Sequence, residues 1–390
     1  MIRLKEGIYW VGVIDWTIRN FHGYITHRGS SYNSYLINDD KICLIDFVKA
    51  PFADEQLANI KKIIDPSKID YIVTNHAEPD HSGSIHKIIQ ACPNAQVIST
   101  TRSIQILRKY YGEDLKITSI EEIPTLNLGK RKLTFIPVPM AHWPDSMVSY
   151  MPEEKLLFSN DAFGQHLASS GRFDDEVDKS VLIEEATTYY ANILMPLWRS
   201  VKSALKALEG VPVEMIAPSH GVIWRSNYQL ILNKYLKWVN GEINPKAVVV
   251  YDTMWGSTEK IARSITNGLI EGGVEVKLIN ISSSHNSEVI AELLESKAVV
   301  IGSPTLNNWI FPSIAGFLAY MHGLKPLNKI GAAFSSYGWA GGAKKAVEAE
   351  MVAAGIQVMD SGLDFQYRPT ESELGKAFAF GLEFAMKIKN

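Results

Sequence analysis

The sequence predicts two folded parts of different class, an α+β part followed by an α/β part. Residues 246–390 alternate regularly between short apolar runs and helical patterns, which is typical of a doubly wound parallel sheet. Residues 1–245 instead open with pairs of short strands and place their helices between and after them, as mixed sheets covered by helices do. The stretch NGEINPK (240–246) is rich in turn residues and separates the two parts. We therefore predict domains at 1–245 and 246–390.

Each part contains recognisable elements. In the first part, apolar alternation predicts strands, and longer periodic stretches predict helices at 52–64, 83–90 and 180–209. The strands are SYNSYLI (31–37), KICLID (41–46), KLTFIPV (132–138), MVSYM (147–151) and KLLFS (155–159). In the second part, the predicted strands are AVVVY (247–251), VEVKLI (274–279), KAVVIG (297–302), KIGAAFSS (329–336) and IQVM (356–359). Helices are predicted between them at 258–272, 287–295, 312–322, 341–353 and 373–388. The right-handed crossover rule favours the flavodoxin-like strand order for this part.

Composition excludes several classes of function. A length of 390 residues, 46% of them hydrophobic and 21% charged, fits a globular protein of two or three domains. A net charge of -3 argues against a nucleic-acid-binding surface. No apolar run approaches the length of a membrane span, and the N-terminal stretch MIRLKEGIYWVG lacks the features of a secretory signal. We therefore expect a cytoplasmic protein that binds neither nucleic acid nor membrane.

The stretch TNHAEPDHSGS (74–84) concentrates potential metal ligands directly after the apolar run IDYIVT. It supplies His76, Glu78, Asp80 and His81 within six positions. Taken alone, each has a structural explanation, since an aspartate before a helix is an ordinary N-cap and a lone histidine is more often a structural side chain. Four together indicate a metal site.

Three further ligand-type residues each follow an apolar strand: His142, Asp161 and His220. Individually each fits a turn without chemistry. Jointly they supply two imidazoles and a carboxylate from strand ends, where separate loops meet. Seven ligands are too many for one tetrahedral ion and suit two ions that share a carboxylate.

A second motif, DTMWGST (252–258), lies between a buried strand and a helix. It places hydroxyls and backbone N–H groups at a helix N-terminus, which predicts a phosphate site, although an ordinary Ser/Thr N-cap is the alternative. The loop is neither a Walker A motif nor GxGxxG, and it suits a single terminal phosphate. Two more strand-end loops, GSPTLNNWIFP (302–312) and SSYGWAGGAKK (335–345), offer the aromatic and small residues that a flavin ring requires.

The second part resembles flavodoxins, and this resemblance implies FMN as cofactor. The phosphate is expected at Thr253, Met254, Trp255, Gly256, Ser257 and Thr258. The flavin ring is expected at Pro304, Thr305, Leu306, Asn307, Ser335, Tyr337, Gly338 and Trp339.

The motif HAEPDH resembles the HxHxDH motif of metallo-β-lactamase-like proteins, with glutamate at the third position. Together with a flavodoxin-like second half, this substitution resembles the flavodiiron proteins over essentially the whole chain. The resemblance implies an αββα first domain with a di-iron centre. It assigns His76, Glu78 and His142 to one iron, Asp80, His81 and His220 to the other, and Asp161 as the bridge. Three carboxylates also harden the site, which favours iron moderately over zinc.

The resemblance further implies an oxygen and/or nitric oxide reductase in which FMN relays electrons to the irons. Two cysteines cannot form a Cys₄ rubredoxin site, and no GxGxxG motif offers an NAD site. An external donor is therefore expected, either a rubredoxin-like protein or a reduced deazaflavin. The resemblance also implies a head-to-tail homodimer or a dimer of such dimers.

Other interpretations of the sequence stay open at this point. His22, Tyr189 and Tyr190 are candidates for donating protons or hydrogen bonds at the metal site. The alternatives are that the histidine lies in a surface loop and that the tyrosines pack within a helix. One alternative function is a binuclear zinc hydrolase with a flavodoxin appendage, against which Glu78 counts. Another is a non-catalytic electron carrier whose metal-type residues are structural.

Overall fold

The computed structural model describes residues 1–390. Strands follow one another through the first 243 residues as β1 (Ile2–Lys5), β2 (Ile8–Trp10), β3 (Val13–Asp15), β4 (Asn20–Phe21), β5 (Tyr24–Ile25), β6 (Ser30–Tyr32), β7 (Tyr35–Asn38), β8 (Ile42–Ile45), β9 (Tyr71–Val73), β10 (Gln96–Ser99), β11 (Ile117–Ser119), β12 (Thr125–Asn127), β13 (Lys132–Pro137), β14 (Met147–Met151), β15 (Leu156–Asn160) and β16 (Met215–Pro218). The later strands are β17 (Asn244–Tyr251), β18 (Glu275–Asn280), β19 (Ser296–Leu306), β20 (Trp309–Ile310), β21 (Ile330–Tyr337), β22 (Gln357–Met359) and β23 (Asp364–Gln366).

Twelve α-helices accompany these strands. They are α1 (Ala53–Lys61), α2 (Pro79–Ser82), α3 (Ile85–Ala91), α4 (Thr101–Tyr111), α5 (Lys179–Tyr189), α6 (Trp198–Ala207), α7 (Tyr228–Val239), α8 (Ser257–Glu271), α9 (Asn286–Leu294), α10 (Pro312–Leu324), α11 (Ala343–Ala353) and α12 (Glu371–Lys389). None of them combines the length with the apolar character that crossing a membrane requires.

The first compact unit comprises Met1–Phe21, Thr26–Tyr189 and Leu197–Leu236. It contains a seven-stranded sheet in the order β1-β2-β7-β8-β9-β10-β11 and a five-stranded sheet in the order β12-β13-β14-β15-β16. Strands β8 to β11 run parallel to one another, as do β15 and β16, whereas the remaining neighbours in both sheets are antiparallel. Both sheets are therefore mixed, as the sequence predicts.

Alternation along the strands builds two cores in this unit. Leu36 and Leu44 belong to the core that the first sheet forms with α1 and α3. Their neighbours Ile37 and Cys43 point the other way, into a core shared with Phe158 and other residues of the second sheet. The opposite face of the second sheet is also buried, since Leu157 and Ile216 are 1% and 0% exposed. The fold is thus an αββα sandwich.

The second compact unit comprises Lys237–Asn390 together with His22–Ile25 and Tyr190–Pro196. Its sheet has the parallel order β18-β17-β19-β21-β22, with β20 and β23 added beside β19 and β21. This is the flavodoxin-like order, in which the first strand lies next to both the second and the third. The central strands β17, β19 and β21 are apolar on both faces, and β17 runs buried from Ala247 to Tyr251 because helices cover both sides.

Two short segments of the predicted first domain, His22–Ile25 and Tyr190–Pro196, cluster with this second unit. The side-chain amide of Asn192 donates to Ser287 O at 3.1 Å, and the Tyr320 hydroxyl donates to Asn192 Oδ1 at 2.8 Å. These hydrogen bonds hold Tyr190–Pro196 to helices α9 and α10 of the unit. The compact units therefore do not divide at one point of the chain, and the domain boundary at 245/246 stays a prediction.

The structure differs from the predicted helices at two places. The predicted helix 180–209 is broken into α5, a π-helical turn at Tyr190–Leu194, a 3-10 turn at Met195–Leu197 and α6. Pro196 lies at the break, where it cannot donate a helical hydrogen bond. Helix α4 was missed by the sequence reasoning, although the Thr100 hydroxyl caps it by accepting from Ser103 N at 3.0 Å.

The burial of Lys329 in the second unit predicts that the stability of the protein depends on pH. Its side chain is 3% exposed and donates to Leu294 O and Ser296 O. Burial lowers its pKa to about 7 from 10.5, against the opposing charge of Glu295. Between these two values the unfolded chain holds a proton that the folded protein lacks, so stability rises with pH across this window. We expect Lys329→Gln to lose this gain.

The measurement is the free energy of unfolding in urea at several pH values between about 7 and 10.5. Lys345→Gln, which removes an exposed lysine of α11, serves as the control and should keep the wild-type slope. Equal slopes for wild type and Lys329→Gln would contradict the prediction.

Candidate metal centre and flavin site

The seven predicted metal ligands of the first unit lie at the ends of four strands. His76 and Glu78 follow β9, Asp80 and His81 lie in α2, and the other three residues follow β13, β15 and β16. Helix α2 begins at Pro79, which is the first helical residue and turns Asp80 away from His76. His76 and Glu78 therefore lie on the loop before α2, whereas Asp80 and His81 lie on the helix.

The loop that carries His76 is held by a buried network. Asp46 adopts a positive φ of 59° and accepts hydrogen bonds from Asn75 N at 2.6 Å and Asn75 Nδ2 at 2.9 Å. Asn75 Oδ1 in turn accepts from the Ser149 hydroxyl at 2.7 Å. The residue before His76 is thus fixed to both sheets of the sandwich.

One group of ligand atoms surrounds a single point. His76 Nε2 lies 3.2 Å from Glu78 Oε2 and 3.6 Å from Asp161 Oδ2. His142 Nε2 lies 3.3 Å from the same glutamate oxygen and 3.2 Å from the same aspartate oxygen. Ligands bound at ~2.1 Å to one ion are themselves ~3.0–3.4 Å apart. The four atoms therefore have the spacing of a metal coordination shell.

A second group lies on the other side of Asp161. His81 Nε2 is 2.9 Å from Asp161 Oδ1, and His220 Nε2 is 3.4 Å from it. Both nitrogens also approach Asp80 Oδ2, at 3.4 Å and 3.1 Å. Asp161 thus directs one oxygen to each group, and the two groups match the predicted partition of the ligands.

Two buried carboxylates show that the residues present fit cations. All seven side chains are buried except His142, which is 12% exposed. Neither oxygen of Asp80 accepts a hydrogen bond, and neither does Asp161 Oδ2, although all three atoms are buried. A buried carboxylate oxygen without a hydrogen bond is costly unless a cation compensates it. The mixed imidazole and carboxylate donors suit a divalent first-row metal, iron among them.

The electrostatics of the site also favour cations. Burial by itself would lower the pKa of His76, but its hydrogen bonds to Asp145 and Glu78 raise it to about 10. Burial likewise opposes the pKa increase of His142 to about 10, which contacts with Asp161 and Glu78 cause. For Asp80, burial would raise the pKa, yet the charge of His81 lowers it to about 2. Three carboxylates thus create a potential that attracts positive charge.

The structure adds a residue that the sequence reasoning missed, Asp145. Its Oδ2 atom lies 3.1 Å from His76 Nδ1 and accepts from Ala77 N at 2.7 Å. The hydrogen bond assigns the proton of His76 to Nδ1 and leaves Nε2 to face the ligand group. His220 is oriented similarly, because its Nδ1 donates to Ser31 O at 2.8 Å. No spacing in the sequence marks Asp145.

The three candidate hydrogen-bond donors lie in different places. The Tyr189 hydroxyl donates to Asp161 Oδ1 at 3.2 Å and is therefore at the ligand cluster. His22 and Tyr190 belong to segments of the second unit, where the ring of Tyr190 packs 4.8 Å from that of Trp238. Trp143 adds an aromatic wall, with its ring edge-on to His76 at 5.1 Å.

A cavity of about 1010 Å³ in the second unit lies beyond the carboxyl ends of β17, β19 and β21. Its volume is at the upper end of the range for cofactor pockets. The predicted flavin residues that line it are Met254, Trp255, Gly256, Ser257, Pro304, Thr305, Leu306, Asn307, Tyr337, Gly338 and Trp339. Trp255 and Trp339 are 93% and 89% exposed there, and such exposed indoles are typical of a binding surface.

Three predicted flavin residues point elsewhere. Thr258 is fully buried and hydrogen-bonds Ser336 at 2.8 Å, while the Ser335 hydroxyl lies near Thr305. Thr253 Oγ1 accepts from Gly256 N at 3.0 Å and so closes the loop before α8. Gly256 has a positive φ of 80°, which favours glycine at this turn. These hydroxyls shape the loops, and the backbone at the start of α8 faces the cavity.

The cavity also has lining residues that the sequence reasoning missed: Lys260, Asn308, Ser336, Ala340, Tyr367 and Arg368. Tyr367 and Arg368 follow β23, a short strand that was not predicted. The lining includes two basic residues and no acidic one, which suits a phosphorylated ligand. Lys260 lies in the first turn of α8, where a positive charge adds to the anion-binding character of a helix N-terminus.

Comparison with known proteins identifies both parts of the chain. Residues 31–221 match the family described as ODP family beta lactamase, and residues 249–381 match the family described as Flavodoxin. A nitric oxide reductase of Moorella thermoacetica is 46% identical over 393 residues, which span 99% of this chain and 98% of that protein. A rubredoxin-oxygen oxidoreductase of Megalodesulfovibrio gigas is 38% identical over 395 residues, with 99% and 98% covered.

Solved structures agree over the whole chain. The crystal structure of the flavodiiron protein from Giardia intestinalis is 38% identical and has a TM-score of 0.97, with 100% of this chain and 96% of that one covered. The rubredoxin oxygen:oxidoreductase of Desulfovibrio gigas is 37% identical and has a TM-score of 0.94, covering 99% and 98%. On the strength of these matches along its full length, the chain belongs to the flavodiiron protein family.

Proposed function

We propose that this protein is an oxidoreductase that reduces O₂ to water or NO to N₂O at a di-iron centre, with electrons relayed from FMN. The observation that carries this function is the position of Asp161, which directs one carboxylate oxygen to each of two His/carboxylate groups. The same chain holds a flavin-sized cavity in a flavodoxin-like unit. The similar proteins named nitric oxide reductase and rubredoxin-oxygen oxidoreductase support this function over that of a zinc hydrolase.

The proposed cofactors account for the electrons of both reactions. When bound, two ferrous ions and reduced FMN would together supply four electrons. Four electrons and four protons convert O₂ to two molecules of water. Two electrons and two protons convert two molecules of NO to N₂O and water. The chain's part is to bind and orient these groups. The Nε2 atoms of the four histidines and the three carboxylates would hold the ions. The ring of Trp143 lies edge-on to His76 beside these ligands.

The ligand roles are assigned residue by residue. His76, Glu78 and His142 would hold one iron, Asp80, His81 and His220 would hold the other, and Asp161, with one oxygen toward each group, would serve both. The cavity lining from Met254 to Ser257 binds the FMN phosphate, and Pro304–Asn307 and Tyr337–Trp339 contact the ring. Tyr189 orients Asp161 through its hydroxyl, which lies 3.2 Å from the carboxylate. His22 and Tyr190 remain candidates for supplying protons.

The electron donor is proposed to be a rubredoxin-like protein. The name of the similar Megalodesulfovibrio gigas enzyme, rubredoxin-oxygen oxidoreductase, supports this donor. The two cysteines of this chain, Cys43 and Cys92, are both buried and cannot build a Cys₄ iron site. A reduced deazaflavin is the other proposed donor. We place the protein in the cytoplasm.

The proposed assembly is a head-to-tail homodimer, alone or paired into a dimer of dimers. Electron transfer is fast only over short distances, so each FMN has to lie near a di-iron centre. A head-to-tail dimer meets this requirement by bringing the flavin of one subunit to the metals of the other.

Asp161→Ala tests the function directly. We expect the variant to lose most of its iron and its O₂ and NO turnover, because the carboxylate that serves both ions is gone, while FMN content stays near one per chain. The measurement is metal and flavin content after anaerobic purification, followed by parallel O₂ and NO consumption with a chemical reductant. Asp114→Ala, which removes an exposed carboxylate of the same unit, is the control. Two irons and full turnover in Asp161→Ala would refute the assignment.

Asp145→Asn tests the orientation of His76. The amide keeps an acceptor for His76 Nδ1–H and Ala77 N but loses the charge that makes the imidazole a stronger donor. We expect metal affinity to fall by about 10- to 100-fold, the usual effect of losing such a partner. Competition with a chromophoric chelator measures the change, with Asp114→Asn as control. Identical competition curves for Asp145→Asn and wild type would contradict the prediction.

Dilution tests the dimer. If FMN serves the metals of a second subunit, then the specific activity should fall as the protein dissociates, in step with the dimer fraction seen by sedimentation. A monomer that keeps full activity at high dilution would rule this assembly out.

A further inference from the structure

Asp252 is a buried carboxylate that directly follows β17 and precedes the loop at the flavin cavity. Its side chain is 3% exposed. It accepts three hydrogen bonds: Oδ1 accepts from Thr253 N at 2.7 Å, and Oδ2 accepts from the hydroxyls of Ser282, at 2.5 Å, and Ser313. Three donors satisfy a buried carboxylate without a basic partner.

The three donors come from three separate elements. Thr253 starts the loop, Ser282 lies in the 3-10 turn Ile281–Ser283 after β18, and Ser313 is the second residue of α10. The N-terminus of α10 adds a favourable dipole for the negative charge. Asp252 therefore fixes the start of the loop to the turn on one side and to α10 on the other.

The loop is fixed at its far end by a second side chain. Thr253 Oγ1 accepts from Gly256 N at 3.0 Å, and Gly256 is the N-cap of α8. Asp252 orients the peptide group of Thr253. The Thr253 side chain then closes the loop that leads into α8, where the first backbone N–H groups of the helix are exposed. The two residues thus form one chain of hydrogen bonds from the sheet to the helix N-terminus.

The charge of Asp252 works against a phosphate placed nearby. A carboxylate one residue before an anion-binding loop repels the ligand, so any contribution it makes to phosphate binding has to come from loop geometry. Asparagine separates these two effects, since its oxygen still accepts from Thr253 N while the charge is removed.

We propose that Asp252 is a positioning residue that holds the 253–257 loop in its phosphate-binding conformation and thereby makes the cavity select phosphorylated flavin over riboflavin. This inference rests on the proposed binding of FMN in that cavity. The proposed effect of Asp252 is limited to recognition of the phosphate, because in the proposed arrangement the 253–257 loop does not contact the rest of the flavin.

The test compares FMN with riboflavin as probes. Apo-protein of the full chain is titrated with each flavin, and binding is followed by quenching of flavin fluorescence. We expect Asp252→Ala to weaken FMN binding by about 10- to 100-fold, the usual cost of losing hydrogen bonds to a charged group, while riboflavin binding changes little. Asp252→Asn should keep FMN binding near the wild-type affinity. Glu271→Ala, which removes an exposed carboxylate at the end of α8, should behave as wild type.

The outcomes separate this inference from the proposed function. An unchanged ratio of FMN to riboflavin affinity in Asp252→Ala overturns the inference. The ratio stays unchanged if neither affinity falls, or if both fall equally, which indicates general destabilisation. A wild-type protein that binds neither flavin overturns the proposed function as well. If Asp252→Ala does not fold, then the pair Ser282→Ala and Ser313→Ala removes the partners instead. That double variant must lose FMN selectivity for the proposal to stand.

Discussion

The shared carboxylate of Asp161 is the constraint on which the first unit depends. It is 1% exposed, and each of its oxygens lies within 3.6 Å of two histidine nitrogens from different loops. The hydroxyls of Tyr189 and Ser219 approach the same Oδ1 atom at 3.2 Å and 3.3 Å. Three carboxylates confined in so small a buried space repel one another strongly unless cations lie between them. The site is therefore organised around positive charge, and the fold has to supply the loops that surround it.

Strand register explains how those loops meet. Because β15 and β16 run parallel with Asn160 opposite Pro218, the residues that follow them, Asp161 and His220, leave the sheet at neighbouring positions. The first sheet contributes His76 from the end of β9, which pairs in parallel with β8 and β10. The two sheets share one core, so the exits of their parallel strands meet at one edge of the sandwich.

Local sequence patterns predicted the features that depend on residue type and period. The buried runs of β17, β19 and β21 and the helices between them could be placed within a few residues, and the ligand-type residues were visible because each follows an apolar strand. Asp145 could not be found this way, since its role depends on a 3.1 Å contact with a residue 69 positions away. Thr258 shows the converse case: its type suggested a phosphate contact, but its hydroxyl forms a hydrogen bond with Ser336 of β21, which is distant in sequence.

In the proposed di-iron site, glutamate at position 78 changes the net charge as well as the type of ligand. With neutral histidines, three carboxylates leave two divalent ions with one uncompensated positive charge, against two if residue 78 were histidine. Lower net charge stabilises more highly oxidised ions, and carboxylate oxygen is a harder ligand than imidazole, so the substitution suits a metal that changes its oxidation state. In the proposed site, Glu78, whose carboxylate faces both His76 and His142, therefore favours a metal that changes its oxidation state.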